Sequence, residues 1–537
     1  TKENKKMSNQ LLFDAEARDK LFSGAEKLGK AVATTLGPRG QNVLLYMKDR
    51  PPVITKDGVS VARVVTLDDP IEQAGVDVIR QAAVETNNSA GDGTTTATVL
   101  SCQILESARK FIAGGAAPLE IKRGLDNAVK NLLKALDEMS SPIQSEEEIR
   151  HVATVSAGGD QALGELVAEA VLAAGKDGAV TIEESKSLQT TLDVVEGFQF
   201  DGGYVSSQFV TDERRGAVYY KDPLFFVTDE SLDTIDEMLP ILEVVARDGR
   251  PFVIVAEEVE GQLLAALIMN RMRGQMKIVA IKAPRYGEER RNMLVDIAAT
   301  TGATFISKDS GIPLSKVQIS HLGTAKNVEV LKHHTTIVDG GGDEEKIDEL
   351  IESLKTQVES SATLPEAERA QARITRLASG VSVLRVGGAT EIEMTERKHR
   401  VEDALEAVRS AQLEGIVPGA GVALATAAGA ALKPSKEAWK VQASKILTQA
   451  CQAPYRKILE NAGYKPDVVT SQILKAREQN PQTMHIGVNV STGGICDLMK
   501  EGIIDPTKVT KAALQNAVSA AGTLLTTNCV VYRESEE

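Results

Sequence analysis

The apolar periodicity of this 537-residue sequence changes character twice, and that limits the architectures open to it. From about residue 10 to 138, apolar positions recur every three or four residues in "DAEARDKLFSGAEKLGKAVATTL", "IEQAGVDVIRQAAVETN" and "TATVLSCQILESARKFIAGG". Such spacing lays one apolar stripe along a helix. Ser140, Ser141 and Pro142 punctuate the end of this block. From Glu196 to about Gly380, short apolar runs alternate with amphipathic ones: "PFVIVA", "GQLLAALIMNRMRG", "KIVAIKAP", then "ERRNMLVDIAAT". Strands separated by helices predict a parallel or mixed sheet covered by helices. One long charged helix is expected over Asp343 to Leu377, capped by Asp343 after three glycines. Beyond about Glu414 the Ala-rich helical pattern returns in "GVALATAAGAAL" and "VQASKILTQACQAPYRKILENAG". The order predicts an α/β domain inserted into a mainly helical one.

The length exceeds what one core supports and predicts two to four domains. Aromatic residues make up 4%, with Trp439 the single tryptophan, so Ala, Val and Leu must supply most of the packing. A net charge of −14 argues against general nucleic-acid binding, which needs basic surface. Cys102, Cys451, Cys496 and Cys529 lie far apart with no CxxC, and are expected as buried, reduced thiols in a cytosol-like compartment. The histidines, including the pair His333 and His334, show no metal spacing and are read as surface or strand residues. No apolar run approaches the roughly 18 residues of a membrane span. "TKENKKMSNQ" has no apolar signal core, so a cytoplasmic location is expected and Met7 is a candidate natural start.

Familiar enzyme signatures fail. Gly29-Lys30 and Gly175-Lys176 are followed by alanine and aspartate, so no Walker A loop exists, and GxGxxG, HExxH and GxSxG are absent. Three stretches remain, each with two readings. "TLGPRG" (Thr35–Gly40) is a C-cap turn or a loop whose N–H groups face an anion. "TKDGVSVA" (Thr55–Ala62) is a tight hairpin turn at Asp57-Gly58, or it sets Asp57 as a metal or water ligand beside a phosphate-binding Lys56. "AGDGTTTATVL" (Ala90–Leu100) is a helix start with excess capping, or a cradle for a phosphate and its metal. Together the three point to a nucleoside triphosphate site of a non-Walker kind.

With "KRGLDNAV", "VVEGFQFDGGY", "VAIKAP", "VEDALEA" and "DPTKVTKAAL" added in order, the chain resembles a group I chaperonin of the GroEL type over nearly its whole length. The resemblance implies a multidomain α and α/β fold. A helical equatorial domain would comprise 1–138 and 414–537, an intermediate domain 139–195 and 382–413, and an inserted α/β apical domain 196–381. It implies Mg²⁺-dependent ATP hydrolysis, with K⁺ a candidate second cation, coupled to folding of non-native client proteins. Thr35, Leu36, Gly37, Pro38 and Lys56 would line the phosphates, and Gly93, Thr94, Thr95 and Thr96 would hold their oxygens. Asp92 would bind the metal, Asp57 would position the attacking water, and Asp403 would complete the hydrolytic site on closure. Gly419, Asn489, Val490 and Asp505 would surround base and ribose. Clients would meet Tyr204, Phe209, Leu239, Leu242, Leu264, Ile268 and Met269. Pro142, Gly197, Gly380 and Gly415 would be hinges. Partners would be client proteins, copies of the chain in a seven-fold ring, single or double, and a candidate co-chaperonin cap, but neither nucleic acid nor membrane. A holdase or structural ring without hydrolysis, and a small-molecule kinase, are the alternatives.

The sequence also departs from the family pattern. Gln208 stands where an apical tyrosine is usual, Ala420 replaces a glycine, and the chain ends in the acidic "CVVYRESEE". Arg456 and Lys465 occupy positions where the family pairs an arginine with a glutamate across two rings, which predicts weakened double rings.

Overall fold

The computed structural model describes residues 10–46, 52–175, 179–185, 187–360, 364–378, 380–432, 437–479 and 485–532. Met7, Lys176 and the acidic end beyond Tyr532 lie outside them. The chain divides into two compact units, Thr1–Ala168 with Lys186–Gln189 and Val386–Glu537, and Glu169–Ser185 with Thr190–Arg385. In chain order the helices are α1 (Asp14–Ala33), α2 (Gly58–Val64), α3 (Pro70–Ala90), α4 (Thr94–Ala113), α5 (Pro118–Met139), α6 (Glu146–Ser156) and α7 (Gln161–Ala174). Next come α8 (Ile235–Asp248), α9 (Gly261–Met272), α10 (Gly287–Thr301), α11 (Glu344–Ser360) and α12 (Leu364–Ala378). The last are α13 (Glu391–Glu414), α14 (Val422–Ala431), α15 (Ala438–Asn461), α16 (Pro466–Gln479) and α17 (Thr507–Thr526). Among the described residues no helix is long and apolar enough to cross a membrane.

The first unit is helical, as the three-to-four spacing requires. Its core gathers the stripes of α1, α3, α4, α5, α15 and α17, with Leu28, Ile79, Ile104, Leu125, Ile446 and Leu514 fully buried. Each such side chain contributes about 1.5–3 kcal/mol by leaving water. The strand Gln10–Phe13 pairs antiparallel with Cys529–Tyr532, tying the two chain ends together. Strand Val43–Leu45 pairs with Val53–Thr55. A smaller core under Asn489 and Val490 joins Tyr455, Leu459, Ile473, Val488 and Leu498.

The second unit is built on a mixed sheet of ten described strands. Leu224–Thr228, Phe252–Ala256 and Ile278–Lys282 run parallel, as the alternation predicts. Gly323–Val330, Thr335–Gly340, Thr191–Phe200 and Gly380–Val386 continue it antiparallel. Phe225, Val253, Ile254, Val279 and Ile281 are fully buried. Arg373 on α12 donates to both oxygens of buried Asp296 on α10, at 3.0 and 2.6 Å.

The structure corrects several expectations. The long charged helix over Asp343–Leu377 is two helices, α11 and α12, packed on each other. Pro365 sits in the first turn of α12, where its missing N–H costs nothing. Asp343 accepts from the Glu345 N–H, as its capping role requires. Gly197 and Gly380, named above as hinges, are strand residues. Both sit in paired strands, and a Cβ on Gly197 would come within 2.2 Å of Val381. Of the cysteines only Cys451 is fully buried, and Cys529 is exposed; all four are free thiols. His333 and His334 lie in the connection between Gly323–Val330 and Thr335–Gly340, at the surface.

Candidate functional site

The stretch Ala90–Leu100 is a junction between two helices of the first unit. Its α3 ends at Ala90, and Gly91 (φ 73°) closes it in the left-handed region. Gly93 (φ 82°) then precedes α4 in the same region. Having no side chain, Gly93 leaves the first turn of α4 uncapped, so Thr94, Thr95 and Thr96 follow a helix start whose N–H groups and positive dipole end face outward. The over-capped reading is thereby overturned, because no threonine occupies the capping position. Asp92, held between the two glycines, accepts from Ser156 Oγ at 2.8 Å and from the Gly93 N–H.

"TKDG" is not a hairpin turn. Strand Val53–Thr55 leads directly into α2, and Asp57 caps that helix through the N–H groups of Val59 and Ser60, both at 3.1 Å. The Asp-Gly pair suits a hairpin only where strands flank it, and the apolar stripe of α2 packs on α3 and α4 instead. Gly58 permits this approach, since a Cβ there would lie 2.2 Å from Thr95 Oγ1. "TLGP" is the turn after α1, with Gly37 at φ 86°. Asn461 pins it by donating to the carbonyls of Ala33 and Leu36 at 3.0 and 2.9 Å.

All three loops open onto one cavity of about 470 Å³ within the first unit. It is lined by Thr35, Leu36, Gly37, Pro38, Lys56, Asp57, Asp92, Gly93, Thr94, Thr95, Thr96, Asp403, Asn489, Val490 and Asp505. Of the residues assigned to nucleotide, metal and water, only Gly419 is missing from the wall. It sits just behind, where a Cβ would approach Asp505 Oδ1 at 3.0 Å. The cavity concentrates negative charge. Burial raises the pKa of Asp92, Asp57's charge adds to this, and the bonds from Ser156 and Gly93 oppose it. Asp505 is pushed up to about 7 by burial and by the charge of Asp92, against a bond from the Gly421 N–H. Among the described residues no group of three or more His, Cys, Asp or Glu could hold a metal unaided. A half-enclosed carboxylate beside uncapped N–H groups and threonine hydroxyls instead fits a hard divalent cation that shares its shell with phosphate oxygens.

Some of the wall was not legible in the motifs. His151, Thr154, Val155 and Ser156 come from α6, and Glu396, His399 and Arg400 from α13, which packs on α6 and on Val53–Thr55. The expectation that the histidines are surface or strand residues fails for His151 and His399. Each stands alone on a helix, with no partner spacing in sequence to mark it.

The second unit carries the expected apolar face, with different members. In contact with each other, α8 and α9 expose Leu239 (45%), Val244, Met269 (47%) and Met272. Leu264, Ile268 and Tyr204 are half-buried against the core. Phe209 (0% exposed) and Leu242 (7%) are core residues, so neither belongs to the surface. Phe209 follows Ser206, which caps a short 3₁₀ turn through the Gln208 N–H, and this turn drives the ring inward while leaving Gln208 outside.

The model of the TCP-1/cpn60 chaperonin family matches residues 28–535. The chain belongs to that family. Among solved structures it is similar to the chaperonin gp146 from the bacteriophage EL 2 (Pseudomonas aeruginosa), crystallised in the presence of ATP-BeFx. Crystal form II gives a TM-score of 0.65 at 22% identity, covering 98% of this chain and 99% of that one. Crystal form I gives 0.63 at 21%, with the same coverage. The fold is therefore the multidomain α and α/β fold of the chaperonins.

Two departures acquire a physical meaning in this chaperonin. Ala420, which lines the cavity, sits at φ 54°, a left-handed conformation that an alanine adopts at a cost and a glycine does not. Arg456 pairs with Asp467 of the same chain at 2.7 Å, so its charge is partly compensated within the subunit.

Proposed function

We propose that this chain is the ATP-hydrolysing subunit of a ring-forming chaperone that captures non-native polypeptides and promotes their folding. The observation that carries the reading is the single cavity into which three separated loops deliver an uncapped helix start, a half-buried Asp92 and the carboxylate of Asp57, while α13 adds Asp403. Phosphoryl transfer asks a protein mainly for positioning and charge stabilisation, which such a wall supplies. Thr94 to Thr96 and the loop Thr35–Pro38 would hold phosphate oxygens, with Lys56 as a point charge beside them. Asp92 would hold Mg²⁺, which when bound neutralises developing phosphate charge. Asp57, fixed by its capping bonds, would position the attacking water, and Asp403 would take its proton. Asn489, Val490 and Asp505 would face base and ribose. Pro142 and Gly415 flank the short pairing of Ser141 with Ile416, and their hinge role belongs to the same proposal.

The apolar edge of α8 and α9 would hold client segments, as an exposed apolar groove does for extended or helical peptides. Assembly into rings is supported by the apolar side chains that two two-stranded ribbons leave exposed on the side away from the core, Leu11, Phe13 and Val531 on one and Leu44 and Ile54, with Tyr46 just beyond, on the other. Exposed apolar side chains gathered in this way mark a surface that a protein neighbour would cover. Steady-state phosphate release, with and without an unfolded client, tests the reading. Release that needs Mg²⁺ and responds to client supports it, and none under any condition leaves only a holdase. Native mass spectrometry counts the subunits and separates single from double rings.

A further inference from the structure

His399 lies four residues before Asp403 on α13, one helical turn away, so both side chains leave the same face of the helix. Both line the cavity that Asp57 also lines. Glu396, Arg400 and Glu501 are further charged residues of the same wall. Arg400 is held by Glu396 at 2.7 Å and by Asp160 at 3.3 Å. His151, on α6, is packed from behind by Gly502, where a Cβ would come within 2.4 Å of its ring, so it forms wall. Lys56 sits on the loop before α2, while Asp92 and Asp505 lie on the side of the cavity that Gly93 and Gly421 contact. A carboxylate that must accept a proton works best with a second group to aim it and relieve it, and an imidazole exchanges protons near neutral pH.

Resting on the hydrolytic reading above, we propose that His399 is the positioning and relay residue for Asp403. It aims the carboxylate and takes over the proton that Asp403 removes from water. In that step the water oxygen bonds to the γ-phosphorus while the bond from that phosphorus to the β,γ-bridging oxygen breaks, and the electron pair leaves with ADP. The water proton passes to Asp403, then to His399, and from the imidazolium to solvent. The neighbouring carboxylates stabilise that transient cation.

The test uses the full chain with ATP and Mg²⁺, comparing His399→Ala and His399→Gln with the unaltered protein. Expected is a fall in kcat of about a hundredfold in both, the lower end of what positioned proton transfer contributes. The KM for ATP and the affinity for a fluorescent ADP analogue should stay within about twofold, because the residue acts on turnover rather than on binding. Imidazole added to the buffer should restore His399→Ala in part. His399→Gln stays slow, since an amide hydrogen-bonds but takes up no proton. Either variant at the unaltered kcat overturns the relay, as does a loss that imidazole leaves in place or one matched by an equal loss of nucleotide affinity. If the unaltered chain releases no phosphate at all, the hydrolytic reading fails and the relay falls with it.

Discussion

The cavity of the first unit and the apolar face of the second were expected from the same sequence, yet they stand differently in the structure. At the cavity every loop arrives where its motif places it, and only Gly419 stands back from the wall. On the apolar face two of seven expected residues, Phe209 and Leu242, are core. The difference lies in what each residue type requires. Gly93 at φ 82°, Asp92 between two glycines and three threonines after them make sense only at a polar junction that faces a cavity. A leucine or phenylalanine on an amphipathic helix is equally at home inside, and a neighbouring element decides which it is.

That contrast can be broken in five ways. Phe209→Ala should destabilise the second unit by about 3–5 kcal/mol, measured by chemical denaturation, whereas Leu239→Glu and Met269→Glu should cost little stability and abolish client capture. If Phe209→Ala instead loses capture with stability intact, the buried assignment is wrong. Asp403→Ala should lower turnover by about a hundredfold or more while the protein still binds nucleotide. Unchanged turnover would remove Asp403 from the mechanism. Asp92→Asn should weaken Mg²⁺-dependent nucleotide binding by about tenfold, the usual scale for a disturbed metal ligand set. Titration calorimetry with and without Mg²⁺ reads this, and equal loss in both conditions would make Asp92 a structural residue.

The two smaller effects concern stability. Ala420→Gly should raise the stability of the first unit by about 1 kcal/mol by relieving the left-handed alanine, and a loss would show that Ala420 packs too well to spare its methyl. Glu72, which joins α3 to α1, has its carboxyl held below the ordinary 4.5 by bonds from Lys27 and Ser23. A lowered carboxylate pKa contributes stability above the ordinary value and loses it as pH falls through the folded one. Melting temperatures between pH 6 and 3 should therefore fall less steeply in Glu72→Gln, and parallel curves would mean the contact is energetically silent.

Much of the architecture was legible. The three-to-four spacing marked α1, α3 and α4, and the alternation after Glu196 marked the parallel strands Phe252–Ala256 and Ile278–Lys282 with the helices between. Asp57 shows how a residue can reach the cavity with a local geometry other than the one expected. An Asp-Gly pair suits a hairpin and a helix cap alike, and packing of α2 on α3 and α4 selected the cap. His151 and His399 were not legible as site residues, because a lone histidine has no spacing, and the packing of α6 on α13 is what brings the two helices to the cavity wall.

By itself the sequence determined the elements and the polar junctions, since helix periodicity, left-handed glycines and capping aspartates act over a few residues. The tertiary structure decided which apolar side chains are core and which are surface. It also decided that loops from residues 35, 57 and 92 share a cavity with Asp403 and Asp505. The physical reason is range: local backbone preferences are encoded where they act, whereas burial and the meeting of distant charges are properties of what packs against them.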